Sequence, residues 1–156
     1  MRIPRIFLDQ ELTKNKTYKL DKESFHHLLV IKKREGDKIE LFNSKGQFLE
    51  ASISLINKKT CEIFSIGETK IQEKTFPKIS LGISEIKNFE KILNEVTQLG
   101  VYRVDCLSSE RSKFLKKPSE KKIERWKKVI IGACEQSGNN WMPQIGHKSF
   151  CLLYTS

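Results

Sequence analysis

Hydrophobic and polar positions alternate through much of the first half of the chain. From Gln47 to Ile56, Leu49, Ala51, Ile53 and Leu55 alternate with Glu50, Ser52 and Ser54. This two-residue period predicts a strand with one buried face, and the turn cluster Asn43-Ser44-Lys45-Gly46 joins it to a preceding strand over 37–42 as a hairpin. Further strands are predicted over 60–66, after the turn Asn57-Lys58-Lys59, and over 17–20. Between 21 and 33 the period lengthens: Phe25, Leu28 and Leu29 recur at helical spacing behind Asp21, a residue suited to capping a helix. These elements predict a small β-barrel with one short helix.

The pattern changes after a polar connector, Gly67 to Pro77, where a domain boundary is placed. Ile79 to Ile83 is a short apolar run, and Ile86, Phe89, Ile92, Leu93, Val96 and Leu99 then mark one face of a helix that Gly100 ends. The apolar run Val101 to Leu107 completes a strand–helix–strand unit with parallel strands and a right-handed crossover. A second helix is predicted from Ser119, its N-cap, to Ser137, with Gly138 as its stop and Ile123, Trp126, Ile130, Ala133 and Ser137 inward. The reading is an α+β chain of two domains, 1–72 and 77–150, with residues 151–156 as a tail.

Composition narrows the function. The 156 residues carry 29 Lys and Arg against 19 Asp and Glu, a net charge of +10, which favours a polyanionic partner. No stretch approaches the roughly 18 apolar residues of a membrane span, and the N-terminus has no apolar stretch of a secretory signal, so a cytoplasmic protein is expected. The charge is concentrated: Arg111 to Lys128 holds nine basic residues against Glu120 and Glu124. Arg111, Lys113, Lys116, Lys117, Lys121, Lys122 and Arg125 are therefore candidates for tracking a phosphate backbone, with a solvated lysine-rich face as the alternative. Arg2, Arg5, Lys32, Lys33 and Arg34 form a second basic group, which equally suits the C-terminal end of a helix dipole.

Cys61, Cys106, Cys134 and Cys151 are too far apart for a zinc site or a disulfide framework, and adjacent His26 and His27 lack a third ligand, so no metal is expected. The familiar nucleotide, metalloprotease and hydrolase motifs are absent. Two polar clusters remain: Ser108-Ser109-Glu110-Arg111-Ser112 beyond a strand, where α/β sheets bind ligands, and Glu135-Gln136-Ser137-Gly138-Asn139-Asn140 at a helix end. Arg111 suits a phosphate or a base carbonyl and Gln136 a base edge; both suit local capping hydrogen bonds as well.

These residues carry a family resemblance. Arg5-Ile6-Phe7, His26-His27-Leu28 with Gly36-Asp37, Gln98-Leu99-Gly100-Val101, Ser109-Glu110-Arg111-Ser112, Glu124-Arg125-Trp126, and Glu135-Gln136-Ser137 with Pro143 occur in one order. In that order they resemble the bacterial 16S rRNA (uracil-N3)-methyltransferases of the RsmE type, from Met1 to about Ile145. The resemblance implies a PUA-like RNA-binding barrel over 1–72, followed by the first part of a SPOUT-type methyltransferase domain over 77–150. It further implies S-adenosylmethionine as cofactor, the small ribosomal subunit as partner, and a homodimer in the full-length form.

The chain departs from the family pattern at Glu95, where Lys is usual, at Asn139, where Arg is common, and at Lys32, another usual Arg. The glycine-rich Gly-Pro-Glu-Gly-Gly and Leu-Gly-x-Arg-Ile-Leu-Arg segments of the knotted cofactor pocket do not occur in it. The expectation is thus a truncated methyltransferase, inactive at this length and without a cofactor site, whose residues 151–156 are a non-native or misread tail; the alternative for the tail is a short final strand. The alternative function is a non-catalytic RNA-binding module. No general base is evident.

Overall fold

The computed structural model describes residues 3–74, 77–84, 86–108 and 118–149. They fall into two units, 1–73 and 74–156, each considered by itself.

The first unit holds β1 (Arg5–Phe7), β2 (Thr17–Lys19), α1 (Lys22–Val30), β3 (Lys38–Phe42), β4 (Gln47–Ile56), β5 (Cys61–Ser65) and β6 (Lys70–Ile71). The strands form one sheet in the order β1-β3-β4-β5-β2, with β6 paired to β4. β3, β4 and β5 are antiparallel neighbours, whereas β1 runs parallel to β3. Ile6 of β1 and Tyr18 of β2, at opposite ends of this order, enter the same core with Ile39, Leu41, Leu49 and Ile63. The sheet must therefore wrap around that core. α1 adds Phe25 and Leu28 to it, and Asp21 caps the helix as its side chain accepts from the Ser24 backbone N–H at 2.8 Å.

The predicted turns form through their own side chains. Asn43 Oδ1 accepts from the backbone N–H groups of Lys45 and Gln47 at 3.0 and 3.1 Å, and Gly46 takes the left-handed backbone (φ 80°) needed to reverse the chain. Asn57 Oδ1 accepts in the same way from Lys59 and Thr60 at 2.8 and 2.9 Å.

The second unit contains β7 (Ser80–Ser84), α2 (Phe89–Gln98), β8 (Arg103–Ser108), α3 (Glu120–Ser137) and β9 (Gln144–Ser149). The three strands are parallel in the order β7-β8-β9. Both crossovers step in the same direction across the sheet, so with the usual right hand they place α2 and α3 on one face. The two helices pack together, with the rings of Phe89 and Trp126 4.5 Å apart. Rows Leu81-Val104-Ile145 and Ile83-Cys106-His147 form the apolar side of the sheet; rows Ser80-Arg103-Gln144 and Gly82-Asp105-Gly146 form the polar side.

Several elements depart from the sequence expectation. The inner stripe of α2 is Phe89, Leu93 and Thr97, at four-residue spacing, while Ile86 and Leu99 are 48% and 79% exposed because they lie outside the helix. Thr97 is tolerated inside because its hydroxyl donates to the Leu93 carbonyl at 2.6 Å. In α3 Trp126, Ile130 and Ala133 are buried as expected, Cys134 joins them, and Ser137 is exposed. β1, β6 and β9 have no counterpart in the sequence reading; β6 lies inside the stretch read as a connector. The 151–156 tail lies outside the described residues.

Candidate nucleic-acid interface

The loop after α1 is tightly built. Lys32 adopts a left-handed backbone (φ 56°), and the N–H groups of Lys32 and Lys33 donate back to the carbonyls of Leu29 and Leu28, both at 3.0 Å, which closes the helix end. Asp37 Oδ2 accepts from the Arg34 N–H at 2.9 Å and lies 3.8 Å from Lys33 Nζ. Lys32 and Arg34 are thus presented outward from a fixed turn, beside the exposed Leu29, Val30 and Ile31. Lys33 is half-buried and partly neutralised.

Arg5 corrects the expectation of a free surface cation. It is only 6% exposed; its Nε donates to Glu40 Oε1 at 2.6 Å and its guanidinium lies 4.4 Å from the Phe42 ring centroid. Its place on β1 beside β3 turns it onto the in-register Glu40, so the barrel unit itself uses the charge. Arg2 lies outside the described residues.

In the second unit, Lys121 is exposed on the first turn of α3, and Lys122 sits with its Nζ 5.8 Å from the Trp126 ring. Arg125 reaches across to α2, where its Nε and Nη2 donate to the two carboxylate oxygens of Glu90, each at 2.8 Å. That fork balances its charge, so Arg125 contributes less to a phosphate surface than its count in the sequence suggests. Arg111, Lys113, Lys116 and Lys117 lie outside the described residues. Gln136 is exposed on the last turn of α3, while Asn139 is committed to the fold: its amide donates to the Thr97 carbonyl at 3.2 Å and its Oδ1 accepts from the Trp141 N–H at 3.0 Å.

The sequence reading missed a charge cluster on the polar side of the second sheet. Asp105 is 4% exposed; Arg103 Nε donates to its carboxylate at 2.9 Å and Lys148 Nζ lies 3.8 Å from it. The hydrogen bond from Arg103 to Asp105, then their charge attraction, raises the Arg103 pKa further. The available signal was an Asp inside an apolar run, flanked in register by Gly82 and Gly146.

The three described cysteines are buried free thiols. Burial, followed by the neighbouring Glu62 charge, pushes the Cys61 thiol up to about 11, and burial raises Cys106 as well, so neither is a poised nucleophile. Among the described residues no group of three metal-ligating side chains occurs, and no helix is long and apolar enough to cross a membrane.

A family model described as an RNA methyltransferase domain matches residues 72–150, and one described as an RNA methyltransferase PUA domain matches residues 20–68. The chain belongs to the RNA methyltransferase family. It is 32% identical over 158 residues to the ribosomal RNA small subunit methyltransferase E of Buchnera aphidicola from Schizaphis graminum, across 97% of this chain and 63% of that protein. The crystal structure of a ribosomal RNA small subunit methyltransferase E from Neisseria gonorrhoeae, bound to S-adenosyl methionine, superposes with a TM-score of 0.81 at 29% identity, covering 93% of this chain and 63% of that one. A Legionella pneumophila structure with bound SAM gives a TM-score of 0.87 at 26% identity, over 100% of this chain and 67% of that one. The chain spans about three-fifths of the length of the curated relatives it matches.

A cavity between α2 and α3 has Lys87, Lys122 and Arg125 on its rim, and its one carboxylate, Glu90, is paired with Arg125.

Proposed function

We propose that the chain forms the RNA-binding domain and the opening part of the catalytic domain of an enzyme that methylates N3 of a uridine in 16S rRNA, with S-adenosylmethionine as methyl donor. The observation that carries this reading is the match of two RNA methyltransferase domains, PUA first, in consecutive segments of the chain. The small-subunit substrate follows from the names of the relatives, and the uridine N3 from the RsmE-type family that the motifs resemble. The full-length enzyme is a cytoplasmic homodimer in this reading.

Methylation at N3 requires the uracil N3–H proton to leave, and a cation beside the base oxygens stabilises the anion that remains. Arg111 is proposed for that role and Gln136 for orienting the base. The RNA backbone lies on Lys32 and Arg34 of the barrel unit and on the Arg111–Lys128 segment of the second, with Lys33 and Arg125 contributing less because each is paired.

The test is methyl incorporation from labelled S-adenosylmethionine into small-subunit rRNA, read by reverse transcription, since a methyl on N3 blocks Watson–Crick pairing. The expected result is a strong stop at one uridine with a chain extended to the length of its relatives. Incorporation that leaves base pairing intact would refute the N3 assignment.

A further inference from the structure

The end of α1 is an apolar tip followed by cations. Leu29, Val30 and Ile31 are 45%, 65% and 39% exposed, three aliphatic side chains in succession. Phe25 and Leu28 are the helix's buried residues, so its last turn projects past the core it packs on. Lys32 and Arg34 come directly after and are both exposed. The carboxylates of the same loop serve the fold: Glu35 Oε1 accepts from the Ile56 N–H at 3.0 Å, while Asp37 accepts from the Arg34 N–H and lies by Lys33. Among the described residues neither the Lys32 nor the Arg34 side chain is paired with one.

Lys32 also occupies a position that the backbone would give to glycine. The N–H groups of Lys32 and Lys33 donate to the Leu29 and Leu28 carbonyls, the paired closure of a helix through one left-handed residue, which is Lys32 at φ 56°. Among the described residues the other left-handed positions are glycines and Asn15, types that tolerate this conformation. A long cation is therefore held under strain beside an exposed apolar tip, and strain of this kind gathers at binding sites. The unpaired charge fits a polyanion. Phosphates take the cations, and aliphatic side chains reach between bases where stacking is already broken, at a loop, bulge or helix end. We propose that the α1 tip is a wedge: Val30 and Ile31 pack against an unstacked base of the RNA, with Lys32 and Arg34 on the flanking phosphates. The inference rests on the reading of the chain as an RNA-binding protein and adds how the barrel unit prefers irregular RNA to a continuous duplex.

The test titrates the whole 156-residue chain into a hairpin RNA carrying 2-aminopurine at the first loop position, and into a fully paired duplex with the same label. A rise in fluorescence, which reports unstacking, is expected with the hairpin and not with the duplex. Val30→Ser with Ile31→Ser should remove the rise and weaken hairpin binding about three- to tenfold, as loss of one base contact does, with duplex binding unchanged. Circular dichroism checks that these exposed substitutions leave the fold intact. Lys32→Gly relieves the left-handed backbone, so it should melt no lower than the parent yet lower the salt slope of binding to the hairpin by about one. An undiminished rise in the double-serine variant, or equal weakening of hairpin and duplex, overturns the wedge and leaves the RNA reading standing. So does a double-serine variant that binds RNA normally but changes its sedimentation, which would assign the tip to contact between copies of the chain. A Lys32→Gly variant that melts lower and binds normally would return Lys32 to the fold and likewise overturn the assignment. A chain that binds neither RNA overturns both readings.

Discussion

Asp105 and Gly146 sit side by side on β8 and β9, so close that a Cβ on Gly146 would lie 2.0 Å from Asp105 Oδ1 and 2.5 Å from Arg103 Nη2. The absent side chain is what lets the Arg103–Asp105 pair lie flat on the sheet. Gly146→Ala must push that pair aside, and a loss of about 1–3 kcal/mol is expected in denaturant unfolding of the second unit. A variant as stable as the parent would show that the pair relocates freely.

Arg5 and Lys32 should separate stability from binding. Arg5→Gln leaves Glu40 without its close partner and removes the cation from the Phe42 ring; with Glu40 one-third exposed, about 1–3 kcal/mol of stability should be lost. Lys32→Gln with Arg34→Gln should change stability little but weaken RNA binding and lower its salt slope. Thermal melts and filter binding in a salt series measure both effects, and an Arg5 variant that melts normally yet binds poorly would return Arg5 to the interface.

Charge reversal at Lys121 and Lys122 should weaken RNA binding steeply at low salt and less at high salt, because each neutralised phosphate releases condensed counterions. Unchanged affinity after the double substitution would remove the start of α3 from the RNA surface.

Cys61 predicts an alkaline limit to stability. Its thiol is held at about 11 in the folded chain against 9.0 ordinarily, so the unfolded chain loses this proton first as pH rises. The stabilisation is complete below about pH 9 and is lost progressively towards pH 11, by roughly 2–3 kcal/mol for the full shift. Cys61→Ala should be less stable at neutral pH through lost packing but show a shallower alkaline decline. An equally steep decline in that variant would assign the limit to other groups.

Elements with strong periods and local stop signals were legible in the sequence. The strand over Gln47–Ile56, the Asp21-capped helix and the Gly138-terminated helix need only information within a few residues, which is why they appear where the pattern placed them. β1, β6 and β9 are short or mixed in polarity, and each becomes a strand because a neighbour offers it a ladder.

The same division holds at the candidate site. Sequence by itself determined the two-part organisation, the excess of positive charge and its concentration on one segment, since these depend on composition and local period. Only the tertiary structure decided which cations remain available: Arg5 turns inward to Glu40, Arg125 closes on Glu90, and Asp105 gathers Arg103 and Lys148. These pairs, except Arg103 with Asp105, join residues far apart in the chain or on different elements. Their existence depends on register and helix packing, and no local pattern carries that information.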